Sequence, residues 1–148
     1  MITMQNGKHL LDVHHIYRAD RATVYQAWTV KEQLEQWWGV KGFKTTIERM
    51  DVSPGGMYRF AMQAPNGFVH TLEGHYVEII PNEKLSFTWN WVNEADADET
   101  LVTIHFVDKG GQTELILNHA NFTTLKAAKR HNNNWKSALE NGLSDYVH

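Results

Sequence analysis

The chain has 148 residues, a formal charge of −3, nine histidines and no cysteine, so disulfide frameworks and thiol chemistry are excluded. The longest basic grouping is Lys126, Lys129 and Arg130, which argues against a nucleic-acid partner. No apolar run approaches the roughly 18 residues of a membrane span, so no membrane insertion is expected.

Residues 1–8 read as a loose leader. His9 to Arg18 reads as a strand, with Leu11, Val13, His15 and Tyr17 on one face. Asp20 is placed to N-cap a short helix from Arg21 to Trp28, with Val24, Ala27 and Trp28 buried. Thr29 and Glu32 have capping-box spacing and predict a second helix from Val30 to Trp37, which Gly39 and Gly42 end. Strands follow at Phe43–Asp51, Met57–Ala64 and Phe68–Ile80, separated by Ser53-Pro54-Gly55-Gly56 and Pro65-Asn66-Gly67. After Pro81-Asn82-Glu83, Leu85 to Val92 alternates cleanly, with Leu85, Phe87, Trp89 and Trp91 on one face. An acidic loop at 93–99 reads as a solvated hairpin tip. Leu101–Val107 and Thr113–His119 form a last hairpin around Lys109-Gly110-Gly111. A long helix starts near Thr123 or Thr124, and its core line runs through Leu125, Ala128, Asn132, Trp135, Leu139, Leu143 and Tyr146.

Hairpin-linked strands closed by a terminal helix predict an α+β architecture with helices on one side of an antiparallel sheet. A single domain over residues 9–148 is expected. A chain of this length buries roughly 68–70% of its unfolded surface, enough for one core without metal or disulfides. The N-terminus has no basic segment followed by an apolar run, and with the absence of cysteine this makes a cytoplasmic location the expectation.

Several blocks, in order, resemble a known family. They are Val24-Tyr25-Gln26-Ala27-Trp28-Thr29, Trp37-Trp38-Gly39, Asp51-Val52-Ser53-Pro54-Gly55-Gly56, Gly74-His75-Tyr76-Val77-Glu78-Ile79, Leu85-Ser86-Phe87-Thr88-Trp89 and Leu117-Asn118-His119-Ala120-Asn121-Phe122, followed by His131 and Trp135. The chain resembles the activator of heat-shock protein 90 ATPase homologue-like family, within the START-like helix-grip (SRPBCC) superfamily. The resemblance implies a curved seven-stranded antiparallel sheet wrapped around the long C-terminal helix, two short helices after the first strand, and a cavity between sheet and helix. It implies no cofactor and no single chemistry, since members include co-chaperones tied to stress response as well as hydrophobic-ligand binders. Two positions depart from the pattern. Ser53 stands where the family has Arg. Asn134 stands where it has Gly, which either narrows the pocket or adds a polar contact.

Six Trp, five Tyr and six Phe are a heavy aromatic load. Trp37, Trp38, Tyr58, Phe60, Trp89, Trp91, Phe122 and Trp135 can wall a pocket for a flat or apolar ligand, against the competing reading of plain core packing. Trp28 and Trp37 read as packing residues beneath the short helices. His75, His119 and His131 are the polar candidates. His131 and Trp135 lie four apart and so share a helix side. Each histidine could anchor a ligand or carry a proton, and the competing reading is a structural histidine bonded within the fold. No metal is expected, because the histidines lack ligand spacing and adjacent His14 and His15 point to opposite faces of a strand. Glu48, Arg49, Asp51, Arg59 and Glu73 read as a solvated sheet face, with Arg59 outward.

The expected ligand-binding set is therefore Tyr58, Phe60, His75, Trp89, Trp91, His119, Phe122, His131 and Trp135, with no catalytic residue assigned. The leading reading is a binder of a small hydrophobic or aromatic molecule. The second is a co-chaperone-like interaction module, with an apolar patch on the convex face or around Trp37-Trp38, and self-association through Trp38 or a sheet edge. The third is an enzyme using the three histidines for proton transfer.

Overall fold

The computed structural model describes residues 1–92, 94 and 98–148. Eight strands form one antiparallel sheet: β1 (Ile2–Gln5), β2 (Lys8–Tyr17), β3 (Lys44–Met50), β4 (Met57–Gln63), β5 (Val69–Ile80), β6 (Lys84–Val92), β7 (Thr100–Asp108) and β8 (Thr113–Phe122). Their order across the sheet is β1-β2-β8-β7-β6-β5-β4-β3. Register shifts between His9 and Leu11, Ile47 and Arg49, and Tyr76 and Glu78 mark bulges, which bend and twist strands. Helices α1 (Arg21–Thr29) and α2 (Lys31–Trp37) follow β2, and α3 (Leu125–Ser137) follows β8. A π-helical turn, Ala138–Leu143, and a short α4 (Ser144–Val147) complete the chain. This is a helix-grip α+β fold.

The strand count is eight where seven were expected. The extra strand comes from the segment read as a leader: Ile2–Gln5 pairs with Lys8–Leu11. Asn6 and Gly7, with φ of 53° and 78°, make the tight turn between them. Asn-Gly is the favoured pair for a two-residue hairpin with both φ positive. The helix caps split the same way. Asp20 accepts from the Thr23 amide at 2.8 Å, as its spacing predicts. Thr29 does not cap α2; its hydroxyl donates back to the Tyr25 carbonyl at 3.0 Å, a bond that ends α1.

The core runs the length of the sheet's inner face, from Leu11, Val13 and Tyr17 through Leu115 and Leu117 to Phe60 and Leu72. Helix α3 packs on β1, β2 and β8. Its N-cap is Thr124, whose Oγ1 accepts from the Ala127 amide at 3.1 Å. Ala128, His131, Trp135, Leu139 and Leu143 form the buried line. Asn132, expected on that line, is half-buried beside it, and Leu125 and Tyr146 are exposed. The π-helical turn sits where Tyr17 donates its hydroxyl to the Leu139 carbonyl at 2.8 Å, tying β2 to the C-terminal segment. Gly142 lies against the end of α2, where a Cβ would stand 2.8 Å from the Trp37 carbonyl oxygen. Among the described residues no helix is long and apolar enough to cross a membrane.

Candidate functional site

Between the open end of the sheet and α3 lies a cavity of about 600 Å³. That volume falls within the range of ordinary small-molecule sites. Phe43, Met62, Trp89, Trp91 and Phe122 supply its apolar wall. Strand β6 turns Trp89 and Trp91 to the inner face, and on β8 an irregularity at Asn121, with φ of 79°, brings Phe122 to the same side as His119. The helix wall consists of Ala127, Arg130, His131 and Asn134, spaced i, i+3, i+4 and i+7 along one side of α3. His70, Glu94, Asp98, Thr100 and Thr123 lie around the polar side. A recess of about 60 Å³ is bounded by Trp38, Trp89, Trp135 and Ala138 and shares Trp91, His131 and Asn134 with the larger space.

The aromatic wall is held by edge and tilted contacts. The Trp89 ring lies 5.6 Å from Trp91, 5.2 Å from Trp135 and 5.9 Å from Trp38. Phe122 sits between two imidazoles, 4.4 Å from His119 and 4.9 Å from His131. Such geometries are favoured by the ring quadrupoles and add to the gain from burial.

The two histidines fix these rings. An indole N–H only donates, so a ring nitrogen that receives one must be unprotonated. Trp91 Nε1 donates to His131 Nε2 at 2.9 Å, and His131 Nδ1 donates to the Ala127 carbonyl at 2.8 Å. Trp135 Nε1 donates to His119 Nδ1 at 3.0 Å. His119 Nε2 then donates to Thr100 Oγ1 at 2.7 Å, and Thr100 donates on to the Trp89 carbonyl at 3.3 Å. The histidines are thus neutral and carry opposite tautomers. Burial pushes the His119 pKa well below its ordinary value, and neighbouring His131 pushes the same way. Burial also lowers His131, and the Arg130 charge adds to this, while the Ala127 carbonyl and Glu94 oppose it. Neither imidazole has a lone pair left for a ligand proton, so their role here is to hold tryptophans.

Four of the expected residues, Trp89, Trp91, Phe122 and His131, line the main cavity, and Trp135 lines the recess. His119 is fully buried directly behind the wall. Tyr58 and Phe60 are elsewhere. They pack in the core beside Trp28, Leu34 and Phe87, where only about 10 Å³ is open. Tyr58 donates its hydroxyl to the Thr88 carbonyl, and burial raises its pKa well above the usual phenol value. His75 is exposed on the opposite face; its amide donates to Thr88 Oγ1 at 2.9 Å, and the bulge after Tyr76 sits beside it. Arg59 points outward, bridging Glu48 at 3.2 Å and Glu73 at 2.6 Å. Trp37 is buried, with its indole donating to the Ala27 carbonyl at 2.9 Å, and Trp38 is half-buried against Phe60 and Trp135. Trp37-Trp38 therefore offers no exposed patch. The sheet edges left for self-association are β1 and β3.

The acidic loop is solvent-exposed at Asp98 and Glu99, and it also borders the cavity. Glu94 Oε1 lies 2.7 Å from His70 Nδ1, and Asp98 accepts from the Thr123 hydroxyl at 2.6 Å, so both carboxylates face the cavity region. Asn93, Ala95, Asp96 and Ala97 of that loop lie outside the described residues. Met62 and His70 were legible in principle, since Met62 continues the inner alternation of Tyr58 and Phe60. Ala127, Arg130 and Asn134 were legible from helical spacing around His131. Val40 and Phe43 stand in a loop that carries no periodic signal. Among the described residues no group of three or more His, Asp or Glu is arranged to hold a metal.

The fold recurs in solved structures. A protein of Chromobacterium violaceum superposes with a TM-score of 0.85 at 21% identity, covering 93% of this chain and 96% of that one. A protein of Arthrobacter aurescens gives 0.86 at 18% identity, with 99% and 90% covered. The AHSA1 protein from Silicibacter pomeroyi gives 0.78 at 22% identity, with 88% and 92% covered. A comparison with curated proteins returns no match. The family described as "Activator of Hsp90 ATPase homolog 1-like protein" matches residues 18–148, nearly the whole chain, and the chain belongs to that family.

Proposed function

We propose that the chain binds a small apolar or aromatic molecule in the cavity between β6, β8 and α3. The observation that supports this is the roughly 600 Å³ space itself, walled by Trp89, Trp91, Phe122, Phe43 and Met62. Apolar surface of that extent, left unfilled by side chains, gains most from a ligand that removes it from water. The wall is also preorganised. His131 and His119 lock the tryptophans before any ligand arrives, so little rotamer entropy is lost on binding. Native mass spectrometry of the gently purified chain, with organic extraction of anything retained, tests this. A stoichiometric apolar adduct, or a shifted melting temperature with flat aromatic compounds but not with sugars or nucleotides, supports the reading. Indifference to every aromatic and lipid class would overturn it.

A second reading, a co-chaperone-like module, rests on the description of the family to which the chain belongs. A surface for it would have to use other groups than Trp37 and Trp38, such as the exposed Met57 and Val77. Pulldown with a heat-shock protein 90 homologue and an ATPase assay check it; absence of both binding and stimulation rejects it.

A further inference from the structure

We infer that the ligand of this cavity is an acid: an aromatic or apolar body carrying a carboxylate, with the carboxylate held at Arg130 and Asn134. The inference rests on the binding reading above and follows from an audit of the polar groups around the space. Each carboxylate beside the space already has one partner. Glu94 faces His70 at 2.7 Å, and Asp98 takes the Thr123 hydroxyl at 2.6 Å. His131 uses both ring nitrogens, and Thr100 both accepts from His119 and donates to the Trp89 carbonyl.

The α3 side of the space, by contrast, carries donors that have no partner. Arg130 and Asn134 both line the cavity, and among the described residues neither side chain forms a hydrogen bond or ion pair. They stand one turn apart on the same side of α3, so one ligand end group can reach both. Nearby, Trp38 and Trp89 bury indole N–H groups that have no partner. A guanidinium presents a planar fork of donors that matches a carboxylate in bidentate fashion. The opposite wall is aromatic and neutral. A ligand bringing only apolar surface would leave these donors unanswered, and with Glu94 and Asp98 on the polar side an acidic end group belongs on the α3 side, at Arg130. Arg130 is solvent-exposed and borders the cavity at its mouth, beside His131. Asn134 then adds a polar contact, the second of the two outcomes open for a residue in place of Gly.

The test is a calorimetric and tryptophan-fluorescence titration of the full chain with three probes of one shape: 2-naphthoate, its neutral amide, and 2-naphthylmethylammonium. The acid is expected to bind at least tenfold more tightly than the amide and the ammonium. Arg130→Gln should bring the acid down to the level of the amide, and Arg130→Lys, which keeps the charge and loses the fork, should give an intermediate preference. Near-UV circular dichroism reports whether each variant keeps its packed tryptophans. If the native chain binds amide or ammonium as well as the acid, or if folded Arg130→Gln keeps the preference, the assignment of an acid is wrong while the cavity reading stands. If none of the three probes binds, both fail.

Discussion

His119 has no solvent contact and spends one ring nitrogen on the Trp135 indole and the other on the Thr100 hydroxyl. Replacing it with Leu leaves the Trp135 indole N–H unsatisfied inside the core. The expected cost is about 2–4 kcal/mol, combining a lost buried hydrogen bond with imperfect repacking. Urea unfolding of His119→Leu measures it, and a loss under about 1 kcal/mol would mean the network is not structural. The same two histidines set a pH dependence. Both have native pKa values below the ordinary unfolded value of about 6.5, so on the acid side the unfolded chain binds protons that the native chain does not. Their contribution is therefore complete above about pH 6.5 and is lost as pH falls from there toward the depressed native values. Within that window the slope is about 1.4 kcal/mol per pH unit for each histidine. The urea midpoint should fall between pH 7.5 and 5.5, and His119→Leu should show a shallower fall than the native chain. Parallel curves for the two would contradict the assignment.

At the scale of elements, β5 runs between β4 and β6 where a side chain cannot be accommodated. A Cβ on Gly74 would stand 2.2 Å from the Thr88 carbonyl oxygen and 2.8 Å from the Tyr58 ring. That carbonyl is also the acceptor for the Tyr58 hydroxyl. Gly74→Ala must push β6 away or expel Tyr58, and a destabilisation of about 3 kcal/mol is expected, at the upper end of overpacking costs. Thermal unfolding checks this, and an unchanged melting temperature would show that the strands can part freely. The strands and α3 were legible in the sequence because their burial follows period 2 and period 3.6. Periodicity gives Trp89, Trp91 and Trp135, whereas His131 comes from the family resemblance, because the helical line reads through Asn132. The misassignments have local causes. Periodicity tells which face a residue is on but not how far along the sheet the covering helix reaches. Tyr58 and Phe60 share a face with Met62, yet α1 and α2 cover the first two and leave Met62 at the cavity. For His75 simple alternation gives the right answer, since Leu72 and Tyr76 point inward and His75, paired with Met57, points outward. The first hairpin was overlooked although Asn6-Gly7 announces it.

On the scale of the whole molecule, sheet and helix meet closely along β1, β2 and β8 and part toward β4 and β5. The cavity occupies that opening, and its helix wall is a single row beginning at Ala127. Membership of the family explains the shape; the chemistry of this particular cavity comes from its own residues, notably Arg130 and Asn134. Ala127 is half-buried and faces the space with the smallest side chain of that row. Ala127→Phe costs about 0.5 kcal/mol of helix propensity but fills the cavity without removing any hydrogen bond, since only its backbone serves Thr124 and His131. The most direct measurement is a calorimetric titration of the native chain and of Ala127→Phe with a naphthalene probe, acid or amide, whichever the native chain holds more tightly. The account predicts one site per native chain and at least a tenfold loss in Ala127→Phe, with the variant still folded by near-UV circular dichroism. Equal affinity in the two proteins would contradict it, because the ligand would then be bound somewhere other than between the sheet and α3.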